Sequence, residues 1–155
     1  MKLDWKKLLI CLAIPLGVGG LSALISGGMS AYQVMNQPPL SPPGWVFPVV
    51  WTLLYGLMGL SAANIYAASP TPARSRGLNL FISQLITNFF WSPIFFNARA
   101  YGFALAWLLL LWVLVLLMIL EFRKADKTAA KLQIPYLLWL TFAAYLNYGV
   151  WQLNR

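Results

Sequence analysis

Residues 101–122 read YGFALAWLLLLWVLVLLMILEF, 22 residues with one charge, Glu121, next to the last position. A helix needs about 20 mostly apolar residues to cross the hydrocarbon core of a bilayer. This stretch therefore predicts a membrane-spanning helix. Outward from it, similar runs lie at about 8–27, 45–68, 78–96 and 132–153. None shows the strict polar–apolar alternation of a membrane barrel strand, and a helix satisfies its own backbone groups in lipid. The expected fold is all-α: residues 1–155 form a single integral membrane bundle of five transmembrane helices, without a soluble domain.

Composition agrees. Of 155 residues, 61% are hydrophobic and 9% charged, against roughly 25% charge in soluble domains. The chain has no histidine and one cysteine, Cys11. Cys/His zinc sites, histidine acid–base catalysis and an intrachain disulfide are thereby excluded, and no metal site is expected. Three acidic residues, Asp4, Glu121 and Asp126, lie at or between the ends of apolar runs, so no carboxylate pair for hydrolysis is evident. Glu121 lies beside Arg123 and Lys124 and reads as an interfacial, solvated group. A net charge of +8 would suit nucleic acid, but the cations flank apolar runs, as in membrane topology. With five spans, Lys2, Lys6, Lys7, Arg74, Arg76, Arg123, Lys124, Lys127 and Lys131 share one side, and Arg99 and Arg155 the other. This bias predicts a cytoplasmic N-terminus, in a bacterial cytoplasmic membrane or, alternatively, an outer membrane. The first run also has the outline of a secretion signal. Its length, and the four-residue spacing of Gly19, Ala23 and Gly27, favour a retained, closely packed helix instead.

Candidate functional residues fall in three places. The loop at 28–44 carries Pro38, Pro39, Pro42 and Pro43 around Leu40. Prolines fix φ and disfavour helix, which predicts an extended, stiff loop that acts as a lid or as a spacer. The third span has a polar stripe, Asn79, Ser83, Thr87 and Trp91, with Gln84 and Asn88 beside it. Such a stripe is expected to face other helices or a cavity. On the fifth span, Trp139, Ala143, Asn147 and Trp151 form one stripe, and Thr141, Tyr145, Tyr148 and Gln152 another. Trp51 and Tyr55 share a face of the second span. Trp45, Tyr101, Tyr136 and Trp151 suit an aromatic belt at the membrane interface. Trp51 and Trp139 lie too far in for that role.

Three blocks carry a family resemblance. They are PPLSPPGWVFPVVWTLLY at 38–55; Gln84-Leu85, Asn88, Trp91-Ser92-Pro93 and Phe95-Phe96; and Pro135-Tyr136-Leu137-Leu138-Trp139 with Phe142-Ala143 and Leu146-Asn147. In order and spacing the chain resembles the TspO/MBR family of tryptophan-rich sensory and translocator proteins, which includes the animal peripheral-type benzodiazepine receptor. The resemblance implies a five-helix bundle with a pocket open towards the first loop. It implies binding of porphyrins such as protoporphyrin IX or haem, of synthetic benzodiazepine-receptor ligands and, in some members, of cholesterol. It also implies homodimers with the third span at the interface. No cofactor is required; porphyrin is the ligand, and lipids are further candidate partners.

The pocket expected from the residues and the resemblance together is lined by Trp51, Tyr55, Asn88, Trp139, Ala143 and Asn147. The expected role is a tetrapyrrole sensor, carrier or transporter. The alternatives are a light-dependent porphyrin-degrading enzyme, with Trp51 and Trp139 as its catalytic residues, and a non-catalytic membrane scaffold. Without histidine, free-base porphyrin is the expected ligand rather than haem. The chain departs from the family in two places. Leu40 stands where many members have tryptophan. The cholesterol-recognition pattern allows at most about five residues between its tyrosine and its basic residue, whereas Tyr148 and Arg155 have six between them and Gln152 stands nearby. This argues against cholesterol.

Overall fold

The computed structural model describes residues 4–27 and 30–155. Lys2 and the first residues of the proline-rich loop, 28 and 29, lie outside the described residues. The elements are α1 (Trp5–Ile25), α2 (Ser30–Val34), α3 (Val46–Ala67), α4 (Pro72–Ser92), a π-helical turn (Pro93–Asn97), α5 (Tyr101–Ala125), α6 (Lys127–Leu132) and α7 (Ile134–Leu153). Among the described residues no strand occurs. Of the long helices, α1, α3 and α5 are apolar enough throughout to cross a membrane. The other two long helices, α4 and α7, carry the amides and hydroxyls noted above and fall outside that set.

Short polar side chains set the helix ends. Asp4 accepts from the Lys6 N–H, Thr71 from Arg74 and Asp126 from Ala129, the usual satisfaction of orphan donors at a helix start. With Thr71 as cap and Pro72 in its first turn, α4 begins earlier than the expected 78. Arg74 and Arg76 are therefore helical rather than in a connecting loop. The Arg74 guanidinium donates to the Ile65 and Tyr66 carbonyls at 3.0 and 2.8 Å, closing the end of α3. The charged segment after Glu121 is also mostly helical, because α5 continues to Ala125 and α6 follows. The proline-rich loop is not extended throughout: Ser30–Val34, ahead of the first proline, forms α2.

Helix α5 is the central post, packed against α4, α6 and α7. Ala104, Leu108, Leu111, Val115, Met118 and Phe122 are all buried. Their spacing alternates four and three, the period of a helix seam that faces its neighbours. Met58 and Ile65 of α3 and Leu140 of α7 complete this core. Outward faces are apolar too, with Leu24, Leu53, Ile82, Phe103 and Leu138 exposed. That is the surface of a protein surrounded by lipid rather than water.

The α1–α3 contact depends on small residues, but not on the stripe expected from sequence. Gly19 lies against the Tyr55 ring, whereas Ala23 is exposed and Gly27 lies beyond the helix end with φ of +77°. The partner of close approach is Gly59 of α3, where a Cβ would stand 2.7 Å from the Leu12 Cα and 2.8 Å from the Cys11 carbonyl oxygen. Those are backbone atoms and cannot swing aside. Gly59→Ala is therefore expected to destabilise the bundle by about 1–3 kcal/mol. A Cβ at Gly56 meets nothing within 4 Å, so Gly56→Ala should hold or raise stability by up to about 1 kcal/mol. Thermal unfolding in one detergent checks the pair, and equal effects would refute the close α1–α3 contact.

Candidate functional site

A cavity of about 210 Å³ lies inside the bundle. Its walls come from α1, α3, α4, α5 and α7, and the loop after α1 covers it. On the α3 side the Trp51 and Tyr55 rings stack, with centroids 5.4 Å apart and planes at 29°. Across from them Trp139 of α7 meets Phe47 edge-on at 5.8 Å, and Phe47 meets Tyr32 at 4.9 Å. Helices α3 and α7 thus face one another through rings, and the space between those rings is the cavity. Ala143 and Asn147 continue the Trp139 stripe along the same wall. All six residues expected to form the pocket, Trp51, Tyr55, Asn88, Trp139, Ala143 and Asn147, border it. So do Trp91, which belongs to the stripe expected to face other helices or a cavity, and Ser22, Tyr32, Phe47 and Phe95, which sequence reasoning did not select. Phe47, Trp91 and Phe95 lie within the quoted motif blocks, a signal that was available; Tyr32 has no such signal. Among the described lining residues no side chain is charged.

A buried hydrogen-bond chain forms one end of this wall. Asn88 Nδ2 donates to the Tyr55 and Tyr136 hydroxyl oxygens at 3.3 and 3.1 Å. The Tyr136 hydroxyl in turn donates to Gln84 Oε1 at 2.7 Å. Tyr136 is therefore not an interfacial belt residue: it is 1% exposed and sits at the centre of the network. The buried amides of α4 attract its hydroxyl inward. Asn147 acts as a strut as well as a wall, accepting from Trp91 Nε1 at 3.1 Å and donating to the Tyr101 carbonyl at 2.8 Å. The polar stripe of α4 divides. Gln84, Thr87 and Asn88 are buried, but Asn79 and Ser83 are exposed. The Ser83 and Thr87 hydroxyls return to carbonyls four residues back, so the outward placement of Ser83 leaves its hydroxyl paired. Trp139 Nε1 is buried and has no partner.

The cover is tied chiefly to α7. Asn36 and Asn154 exchange side-chain-to-backbone hydrogen bonds at 3.1 and 2.8 Å. The Tyr145 hydroxyl donates to the Pro39 carbonyl at 2.7 Å. Pro38 is buried against Gly149, where a Cβ would collide with its ring. Within the loop the Tyr32 hydroxyl donates to the Pro42 carbonyl at 2.9 Å. Pro39, Leu40 and Pro43 are exposed and Pro42 is half-buried. None of these five borders the cavity among its described lining residues; Tyr32 is the residue of the cover that does. Leu40 adopts φ of +68°, a left-handed conformation that is strained for a branched side chain.

The TspO/MBR family model matches residues 10–152. The chain belongs to the TspO/MBR family. It is 34% identical over 150 residues to the tryptophan-rich protein TspO of Chlorobaculum tepidum, covering 95% of both chains. It is 34% identical over 154 residues to the tryptophan-rich sensory protein of Cereibacter sphaeroides, covering 99% of this chain and 95% of that one. It is 35% identical over 143 residues to the translocator protein of Ovis aries, covering 91% and 85%. Family membership and the apolar helices together make it an integral membrane protein. At the end of α7, Tyr148 and Arg155 both lie against the Trp151 ring. Leu146 is buried and Tyr148 exposed, while the Arg155 guanidinium lies over the Trp151 ring at 5.6 Å.

Removing the Tyr136 hydroxyl tests the network. Tyr136→Phe leaves Gln84 Oε1 without its donor in a buried, apolar setting, at an expected cost of about 1–3 kcal/mol. Thermal unfolding of the variant measures it. An unchanged midpoint would mean that the network does not hold α4 to α7.

Proposed function

We propose that this TspO/MBR member is a five-span membrane protein that binds a tetrapyrrole between α3 and α7 and acts as its sensor or carrier. The observation that carries the reading is an uncharged aromatic slot. The Trp51–Tyr55 stack forms one wall and Trp139 the other, with Ala143 leaving room between large rings. Flat macrocycles gain affinity from such stacking without a metal ligand. The wall supplies phenols and amides rather than histidine or thiolate, which favours free-base porphyrin over haem. Porphyrin carboxylates find no cation inside, so they belong at the mouth, in water.

The cavity is smaller than the ~300–1,000 Å³ of typical ligand clefts, so the cover must move when a macrocycle enters. The Trp51–Tyr55 stack also favours a second reading, light-driven oxidation of the bound porphyrin by oxygen with Trp51 and Trp139 taking part. Repeated turnover to one product, absent with free tryptophan, separates it from binding alone. The exposed face of α4, with Ile82, Ile86 and Phe90, is the proposed homodimer contact.

Titration of purified protein with protoporphyrin IX, followed by tryptophan quenching, tests the site. Saturable, stoichiometric binding is expected. Ala143→Phe fills the slot and should weaken binding roughly tenfold or more. Leu110→Phe, on an exposed face of α5, should leave it unchanged. Normal binding by a folded Ala143→Phe protein would remove the α7 wall from the site.

Topology is tested separately by cysteine labelling in a Cys11→Ala background. Ser30→Cys and Thr128→Cys should label from opposite sides of the membrane, with residue 128 cytoplasmic. Labelling from one side would refute five spans, since three helices separate the positions.

A further inference from the structure

A second, larger recess of about 600 Å³ lies outside the bundle, at the end where α4 begins and α5 finishes. Beside it α4 and α5 pack closely. Gly77 of α4 admits the Phe122 ring of α5, 2.7 Å from where a Cβ would stand, and Phe81 stacks on the same ring. One wall is apolar. Leu117 and Leu120 of α5 are 43% and 46% exposed, and Leu80 of α4 is half-buried. Leu117, Leu120, Glu121 and Lys124 follow helical i, i+3, i+4, i+7 spacing, so they share one face of α5. That face runs from leucines towards the bundle centre to cations at the helix end.

The charges at this end are organised. Glu121 Oε2 accepts from Arg76 at 3.1 Å and Glu121 Oε1 from Lys124 at 2.9 Å. Both carboxylate oxygens are thereby engaged, and the carboxylate holds two cations apart at fixed positions. The Arg76 and Lys124 side chains remain 57% and 58% exposed. Arg123 and Lys127 also line the recess. Four cations against one carboxylate leave an uncompensated positive site at the head of an exposed leucine track.

We propose that this recess binds an anionic diacyl phospholipid. The phosphate lies among Arg76, Lys124, Arg123 and Lys127, and one acyl chain lies along Leu80, Leu117 and Leu120. Charge complementarity selects the headgroup, since each Lys or Arg near a membrane surface attracts anionic lipid and arginine suits phosphate oxygens geometrically. The leucine track selects a lipid over a soluble phosphate. The site lies outside the bundle and does not depend on what the central cavity holds.

Native mass spectrometry of the full chain, released from mixed micelles of phosphatidylglycerol and phosphatidylcholine, tests the assignment. One phosphatidylglycerol should be retained in preference to phosphatidylcholine. The double variant Arg76→Gln/Lys124→Gln should lower that retention roughly tenfold or more. Because it also strips Glu121 of its partners, Arg123→Gln/Lys127→Gln provides a second variant that leaves both ion pairs intact, and the same direction is expected. Lys6→Gln/Lys7→Gln, which removes two cations of α1, should retain the lipid as the unaltered chain does. Equal losses in all three variants, or no preference for phosphatidylglycerol, would overturn the proposal. So would complete displacement of the lipid by inorganic phosphate, which would mark a bare anion site.

Discussion

The Asn88 side chain holds the interior together. Its amide nitrogen bridges Tyr55 of α3 and Tyr136 of α7, and Tyr136 continues the chain to Gln84. Three helices are thereby fixed by polar groups that find one another in an apolar interior, with Gln84 Nε2 also donating to the Met58 sulfur of α3 at 3.9 Å. A buried polar group left unpaired costs about 1–3 kcal/mol, so the arrangement is specific as well as cohesive. It also explains why a cavity persists. The rings of Trp51 and Trp139 stand on helices whose separation is set by this knot and by the glycine contacts of α1 with α3, so collapse of the slot would break hydrogen bonds without making new ones.

The sequence was informative about lengths and poor about faces. The run expected at 45–68 is α3, Val46–Ala67, and the run at 101–122 lies within α5, because apolar length is a direct consequence of composition. The buried seam of α5 was invisible for the same reason. Residues 104, 108, 111, 115, 118 and 122 point inward, but their outward neighbours are just as apolar, and only packing distinguishes them. Helix α4 shows the opposite case. Its polar residues announced an inward face, yet Asn79 and Ser83 point out, since a serine bonded to its own helix carbonyl needs no neighbour. Tyr136 was misplaced because a tyrosine near a span end reads as a belt residue until a buried amide is found opposite it. The six pocket residues were legible from their stripes and motif blocks together, whereas Tyr32 depends on the fold of a loop that carries no periodic signal.

Charge and aromaticity are spatially separated in this molecule. Two of the three acidic residues cap helices, and the third pairs with Arg76 and Lys124. Arg74 closes the end of α3. Each of these ionic groups lies at a helix end, where it orients and anchors the bundle. Among the described residues, the polar groups that line the cavity are indoles, phenols, amides and hydroxyls. Chemistry that needs a proton donor of low pKa or a metal-binding carboxylate has no group available there, whereas stacking and single hydrogen bonds do.

The cover and the slot are joined chiefly through α7. Trp139, Ala143 and Asn147 form the wall on α7, and the next turns of the same helix supply Tyr145, Gly149 and, just past its end, Asn154 to hold the cover. The ties are few, and most are exposed hydrogen bonds, each worth about 0.5–1.5 kcal/mol net. Leu40, exposed and held at a left-handed φ, works against them. Under the proposed function, a cover held by so few net contacts opens at modest cost, so that a ligand shifts the balance by its own differential affinity. Under the same proposal, a guest that displaces Trp139 and rotates α7 even slightly also strains the Tyr145 tie to the cover. Helix α3 touches both as well, since Phe47 lines the slot and packs edge-on against Tyr32 of the cover.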